Sequence, residues 1–418
     1  MLDAAREARR SPLPIAEGLA AQSTAAPRAW SGRVGISRLV LTDFRNYRSA
    51  RLDLETGPVV LPMVVLTGPN GAGKTNLLEA ISFLSPGRGL RHARLGEIDR
   101  RDPASPGTTA PWAVAATLET RRRTVRIGTG RETVEDERRV VRIDGETARG
   151  QTALAEYLGV LWLTPQMDRL FADGPLGRRR FLDRLVLGLD PAHAGRVARY
   201  EHAIRERSRL LRPTPQGGPA DRSWVAAVEE IMAEQGVAVA AARREAVERL
   251  DRVCAEAEGA FPRARLCLVG TIEGWLDTMP ALAAEEKFKA GLAANRPVDG
   301  VSGGAALGPH RSDLGVVHAE KGIAAEQAST GEQKALLISI LLAQACLQRE
   351  VRGEPPVLLL DEVAAHLDAA RRDALFEVLA GLESQAWLTG TDSALFAPLR
   401  DTARFMSVAD GALCDTPL

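Results

Sequence analysis

Two apolar runs open the pattern. Residues 34–41 (VGISRLVL) and 59–66 (VVLPMVVL) are short and rich in β-branched residues and leucine, and each predicts a strand. Residues 75–85 (TNLLEAISFLS) predict a helix. Strand-like pieces follow at 112–118, 124–127 and 140–144, the last followed by a turn signal at Gly145. Proline and glycine between 102 and 111 predict a loop.

The pattern changes after Gln166. Residues 176–212 are arginine-rich with helical spacing, and 213–220 (PTPQGGPA) break it. A long helix is expected from Asp221 to about Glu258. Trp224, Val228, Ile231, Met232 and Val239, then Val247, Leu250 and Cys254, recur there at steps of three and four. The spacing is not a sustained heptad, so it favours a compact helical arm over a coiled coil. Further on, 264–270 predicts a strand, 333–350 a helix, 357–360 a buried strand and 370–382 a helix. Strands at 386–389 and 403–408 complete the series. Alternation of strand and helix implies a parallel sheet. The fold class is therefore α/β, with a central mixed or parallel sheet assembled from both chain ends and a helical arm inserted in the middle. The expected divisions are 34–166, 167–262 and 263–418. Residues 1–33 have no apolar core of a signal peptide and are expected to be a disordered extension or a start-site artefact.

Composition adds limits. With 418 residues and 45% hydrophobic content, the chain has material for two or three packed units. Lys plus Arg and Asp plus Glu each number 54, so contact with nucleic acid requires charge segregated on the surface. Lysine occurs only at Lys74, Lys287, Lys289, Lys321 and Lys334, and the arginine excess reflects either phosphate recognition or coding bias. Aromatic content of 4% leaves few stacking platforms for single strands. The four cysteines lack CxxC spacing, so neither a zinc site nor a disulfide framework is indicated and a reducing compartment fits. No apolar run reaches the ~18 residues of a membrane helix, and a cytoplasmic location without membrane contact is expected.

Three motifs carry chemistry. Gly68-Pro69-Asn70-Gly71-Ala72-Gly73-Lys74-Thr75 fits GxxxxGK[ST] between a predicted strand and helix. Small residues let backbone N–H groups wrap a β-phosphate, Lys74 reaches the β- and γ-phosphates, and the Thr75 hydroxyl serves Mg²⁺. The buried strand 357–360 ends in Asp361-Glu362. Asp361 is placed to hold Mg²⁺ and Glu362 to orient or deprotonate an attacking water. Ser329-Thr330-Gly331-Glu332-Gln333 precedes an apolar helix. Ser329 and Glu332 spell a capping box, and the same capped, glycine-bearing helix start is a surface for anions.

The P-loop, STGEQ shortly before VLLLDE, and Ala365-His366-Leu367-Asp368 after it resemble the ATP-binding-cassette superfamily. The long interval from Thr75 to Ser329 is similar to its chromosome-maintenance and DNA-repair branch. Asp43-Phe44-Arg45-Asn46-Tyr47, Gly87-Arg88-Gly89-Leu90-Arg91, Thr164-Pro165-Gln166 and Gly177 to Asp183 narrow the match. Leu307 to Leu314 (LGPHRSDL) and Leu388-Thr389-Gly390-Thr391-Asp392 narrow it further, and together these resemble the RecF family. The resemblance implies a P-loop cassette ATPase head, with ATP and Mg²⁺ as ligands. It implies weak, DNA-dependent ATP hydrolysis acting as a switch, with Ser329, Gly331 and Gln333 meeting the nucleotide held by a second copy. It also implies an ATP-dependent homodimer on gapped or single-strand/double-strand junction DNA. Such a dimer works with RecO and RecR to load RecA in repair, replication and SOS induction. Two departures are visible. Many members of the family carry two aspartates where Asp361-Glu362 stands, and no switch histidine occurs near 390.

Gln166 occupies the place of a Q-loop glutamine at Mg²⁺ or the attacking water; the alternative is an exposed loop residue. Arg178, Arg179 and Arg180, and separately Arg88 and Arg91, either track DNA phosphates or form solvated faces. A transporter motor subunit would need closer motifs and has no use for an arginine-rich arm. A nuclease-linked cassette protein would add a D-x-D element, which the chain lacks.

Overall fold

The computed structural model describes residues 35–56, 59–60, 62–101, 109–212 and 221–416. The expected extension 1–33, most of the loop 102–111 and the break 213–220 lie outside these. In chain order the first elements are β1 (Gly35–Phe44), β2 (Tyr47–Asp53), β3 (Met63–Thr67) and α1 (Lys74–Ser82). Next come β4 (Ala113–Glu119), β5 (Thr124–Gly130), β6 (Val140–Ile143), β7 (Glu146–Thr147) and β8 (Val160–Leu163). The middle of the chain supplies α2 (Pro175–Leu189), α3 (His193–Leu211), α4 (Arg222–Glu256), β9 (Ala264–Val269) and α5 (Ala281–Ser302). The remainder is β10 (Asp313–His318), β11 (Ile323–Ala324), α6 (Thr330–Arg352) and β12 (Val357–Leu360). After these come α7 (Ala369–Gly381), β13 (Ala386–Gly390), β14 (Ala403–Ala409) and β15 (Ala412–Asp415).

The central sheet has the order β8-β12-β13-β3-β14-β15. Its first five strands are parallel and β15 pairs antiparallel to β14. Strands from both ends of the chain therefore interleave. Side chains alternate across the sheet. Met63, Val65, Leu161, Leu163, Leu358 and Leu360 enter a core shared with α2, the end of α4, α6 and α7. Val64, Leu66, Trp162, Leu359 and Trp387 enter a second core on the opposite face, with α1. Burial on both faces explains why these strands read as unbroken apolar runs.

An antiparallel sheet, β7-β6-β5-β4-β1-β2, covers the second core. The β6–β7 connection is an Asp144-Gly145 turn with φ of 51° and 92°, the pairing of positive angles that closes a tight hairpin. Gln385 joins the two sheets. Its side chain accepts from Ile36 N at 2.9 Å and donates to Ile36 O at 3.0 Å.

The arm comprises α3, the first half of α4, and α5, around Tyr200, Met232, Val237, Phe288 and Leu292. The 35 residues of α4 span about 52 Å. Val228 to Ala240 pack in the arm, whereas Ala246 to Cys254 pack in the first core. One helix thus belongs to both. The loop before β10 is tied into this joint. Arg243 donates to both Asp183 oxygens at 2.8 Å and to Pro309 O at 2.6 Å, and Tyr200 hydrogen-bonds His310 at 2.7 Å.

Three expectations change, and the helical reading of 176–212 gains detail. The run 59–66 is not one strand, because Val59–Val60 pairs with Glu55–Thr56 and β3 begins only after Pro62, which has no N–H to donate. The arginine-rich stretch 176–212 is two helices, divided at Asp190–Ala192. Trp224 and Ile231, read as part of the buried stripe of α4, are exposed at 50% and 44%. The strand near 264–270 joins β10 and β11 in a separate three-stranded sheet.

Buried charge specifies the arm. Arg207 and Glu229 are each 1% exposed and Asp299 2%. Arg207 bridges the two acids at 2.9 and 2.7 Å. Arg207→Ala should lower unfolding free energy by about 3–5 kcal/mol, because two buried carboxylates lose their shared cation. Urea unfolding checks this, and a loss below about 1 kcal/mol would mean that Arg296, which also pairs with Glu229, and water together compensate the two acids.

Candidate nucleotide site

The C-terminal ends of β3, β12, β13 and β8 share one edge because those strands run parallel. Residues that leave this edge converge in space although they are far apart in sequence. The loop Gly68–Gly73 leaves β3 and enters α1. A Cβ on Gly68, at φ 148°, would lie 2.2 Å from Val408 O, and one on Gly73, at φ 117°, would lie 2.5 Å from the Asn46 side chain. Glycine is required at both positions by backbone angle and by space. The β1–β2 turn braces the loop: Asn46 donates to Ala72 O at 2.9 Å and Tyr47 OH to Gly73 O at 3.0 Å.

Lys74 is buried and donates to Gly68 O at 2.7 Å and Pro69 O at 3.0 Å. Burial lowers its pKa, and the carboxylates of Glu362 and Asp361 oppose that shift. A buried ammonium held only by two carbonyls, at a helix start, is a receptor for an oxyanion. Thr75 Oγ1 donates to Asp361 at 2.9 Å. Burial raises the Asp361 pKa; the hydroxyls of Thr389 and Thr75 counter it, Glu362 adds to it and Arg91 again counters. The hydroxyl and carboxylate form an oxygen pair of the type that holds a hard divalent cation alongside phosphate oxygens and water. Among the described residues no cluster of three or more His, Cys, Asp or Glu forms a separate metal cage.

Thr389 is the residue whose role the sequence reading missed. Its hydroxyl donates to Asp361 Oδ1 at 2.7 Å and accepts from Glu362 N at 2.9 Å. Glu362 stands at φ 54°, a conformation that costs a non-glycine residue of order 1–3 kcal/mol and is held by its surroundings. The available signal was positional: a threonine closing β13, beside the strand that ends in Asp361. Gln166 follows β8 on the same edge and is exposed; the adjoining Leu163 O accepts from Asp361 N at 2.9 Å. Lys334, in α6, reaches Asp168 at 3.3 Å and so ties this segment to the Ser329 helix.

Ser329 caps α6. Its hydroxyl donates to Glu332 Oε2 at 2.8 Å, and its N–H donates to the same oxygen at 3.0 Å. The salt bridge from Lys321, then the bonds from Ser329, hold the Glu332 pKa down to about 2. Ser329, Thr330 and Gly331 are exposed. Gln333 corrects the expectation of a nucleotide contact: it is buried and its Nε2 donates to Ala328 O at 2.9 Å, inside its own turn.

The arginines divide. Arg178 forms a bidentate pair with Asp313 at 2.7 Å, and Arg179 donates to Ser312 O at 2.9 Å. Arg91 donates to Asn76 and to the fully buried Glu79, which Arg45 also clamps. These three hold partners within the fold. Arg88 and Arg180 are exposed. Beyond burial, the charges of Arg180, Arg184 and Arg88 all press the His92 pKa down, and Arg184 itself lies over the Trp162 ring.

The fold and site define a P-loop ATPase head of the kind that carries an inserted arm. The family model described as RecF/RecN/SMC N terminal domain matches residues 35–412. The chain is 48% identical over 382 residues to the DNA replication and repair protein RecF of Rhizobium johnstonii, covering 91% of this chain and 98% of that one. It is likewise 48% identical over 386 residues to that of Mesorhizobium japonicum, covering 91% and 98%. A solved structure of the recombination mediator protein RecF with ATPrS superposes with a TM-score of 0.78 at 21% identity, over 92% and 98% of the two chains. An Smc head domain from Pyrococcus furiosus gives 0.51 at 17% identity, over 92% and 96%. The chain belongs to the RecF family.

Thr389→Val should lower stability by about 1–3 kcal/mol, because the Glu362 amide and one Asp361 oxygen lose their partner, and Thr389→Ser should restore most of it. Urea denaturation of both variants decides. Equal stability of the valine variant would show that water replaces the hydroxyl.

Proposed function

We propose that this protein is an ATP-switched recombination mediator acting on DNA in the cytoplasm, with RecR and RecO as partners. In this reading, two copies close on ATP at gapped or single-strand/double-strand junction DNA and assist the loading of RecA. The expected boundaries at 166/167 and 262/263 shift: α2, the end of α4 and β9 go with the nucleotide-binding head, and the arm is α3, the first half of α4 and α5. The relatives' names and the RecF fold support it, and the observation that carries it is the convergence of Lys74, Thr75, Asp361, Glu362 and Thr389 on one sheet edge.

Gly68 to Thr75 wrap the β-phosphate with backbone N–H groups, and Lys74 exchanges its two carbonyl partners for phosphate oxygens. Thr75 and Asp361 would hold Mg²⁺, with Gln166 beside them; the bound cation supplies charge neutralisation between the phosphates. Glu362, aimed by Thr389, takes a proton from the attacking water. Ser329 and Gly331 face outward from a helix start and are offered to the γ-phosphate held by the second copy. ATP then acts as the bridge between protomers, and slow hydrolysis releases them.

Glu362→Gln keeps size and most hydrogen bonding but removes the base. ATP should still bind, while hydrolysis falls ~10²–10⁴-fold and DNA is held longer. Asp361→Asn should instead weaken nucleotide binding itself. Paired ATPase and ATP-binding measurements separate them, and wild-type turnover by Glu362→Gln would place the base elsewhere.

DNA affinity should fall steeply with salt. Arg88→Ala and Arg180→Ala should each reduce the salt slope by about 1. Arg178→Ala should leave that slope in place and lower the urea midpoint, because it breaks the pair with Asp313. Binding titrations at several salt concentrations test both, and an unchanged slope in the first two variants would return both arginines to solvent.

A further inference from the structure

The end of α3 carries Arg205, Arg209 and its C-cap residue Arg212 at steps of four and three, so they share one helical face. That face forms one wall of a cavity of about 540 Å³. The opposite wall is built from the end of α5 and the loop before β10, and it contributes Gly304, His310 and Arg311. Among the described residues no carboxylate lines the cavity. In a chain with 54 basic and 54 acidic residues, four guanidinium groups around one concavity are a marked segregation of charge.

Neighbouring carboxylates partner two of the four, from outside the cavity lining. Glu201 lies 3.8 Å from Arg205 across an exposed helix turn, and the half-buried Glu206 accepts from Arg209 at 2.5 Å. An exposed pair such as the first is worth only a few tenths of a kcal/mol. Among the described residues Arg311 donates to Ala305 O alone, at 3.3 and 3.4 Å. Both nitrogens of His310 are engaged, with Tyr200 OH at 2.7 Å and Ala305 O at 2.9 Å, so it walls the cavity without adding a free donor. A helix C-terminus favours cations and accounts for Arg209 and Arg212. It does not account for Arg311, which arrives from a different segment and faces the same space. The wall at Gly304 is bare backbone, where a Cβ would meet nothing within 4 Å. Guanidinium forks match the geometry of phosphate oxygens, and the cavity is large enough for one or two phosphate groups.

We propose that this arm cavity binds a phosphate-bearing anion through Arg205, Arg209, Arg212 and Arg311. A phosphodiester of nucleic acid and a free polyphosphate present the same chemistry. The site is separate from the P-loop and stands whether or not the head dimerises on ATP.

The test uses two full-length variants. Gly304→Asp places a carboxylate on the open wall, and Arg209→Gln/Arg212→Gln removes two cations from an exposed helix face. Urea unfolding confirms that both fold as wild type does. One probe is a short fluorescent DNA duplex without added nucleotide. The other is inorganic pyrophosphate, titrated by calorimetry with Lys74→Ala present in every protein so that the P-loop is silent. Both variants should lose at least ~10-fold in affinity for one probe, and loss of the double variant's duplex contacts should lower the salt slope by about 1–2. Loss with the duplex identifies a phosphodiester site. Loss with pyrophosphate alone identifies a free polyphosphate. Wild-type affinity of both variants for both probes, or a parent protein that binds neither, would overturn the proposal.

Discussion

Everything at the site depends on the parallel register of the central sheet. Parallel neighbours cannot be joined by a hairpin, so each requires a crossover. In this chain β3 is flanked by β13 and β14, which come from its last few dozen residues. The hydrogen bond from Thr75 to Asp361 therefore spans 286 positions. The arm and the separate three-stranded sheet lie between its two ends as one long excursion of the chain. A register slip of one residue in β12 would turn Leu358 and Leu360 to the wrong core and carry Asp361 away from Thr75. Two differently filled cores, one on each face, are what fix that register.

The second dependence is mechanical. Because α4 is buried in the arm at one end and in the head at the other, neither can rotate without disturbing the other's packing. The loop 305–313 strengthens the joint. Arg243, Arg179 and Arg178 each anchor it from a helix, and it leads directly to β10 and then to Ser329. A change at the arm therefore has a covalent and hydrogen-bonded route to the exposed helix start that carries Ser329.

Contiguous features were legible in the sequence. The strand 357–360, the P-loop between strand and helix, and the capping box of Ser329 and Glu332 are local patterns, and the structure holds each at those residues. What was not legible required a partner from elsewhere. Arg178 looks like any member of an arginine run until Asp313 arrives 135 positions later. Trp224 and Ile231 obey the periodicity of α4, but periodicity does not say which apolar face is covered. Helix α5 was not read at all, because Gly291, Pro297 and Gly300 punctuate it, and only the packing of Ala284, Phe288 and Leu292 in the arm sustains it. Thr389 gave no chemical signal, since a threonine at a strand end gains meaning only from the neighbour that places Asp361 beside it.

The central claim is that ATP is shared between two copies, bound by the P-loop of one and completed by Ser329 of the other. Sedimentation velocity with ATP, with ADP and without nucleotide tests it most directly, on wild type and on Ser329→Arg. The account predicts a dimer for wild type with ATP alone, and a Ser329→Arg protein that still binds ATP yet remains a monomer. A wild-type protein whose sedimentation ignores ATP, or a Ser329→Arg variant that dimerises with it as wild type does, would contradict the account.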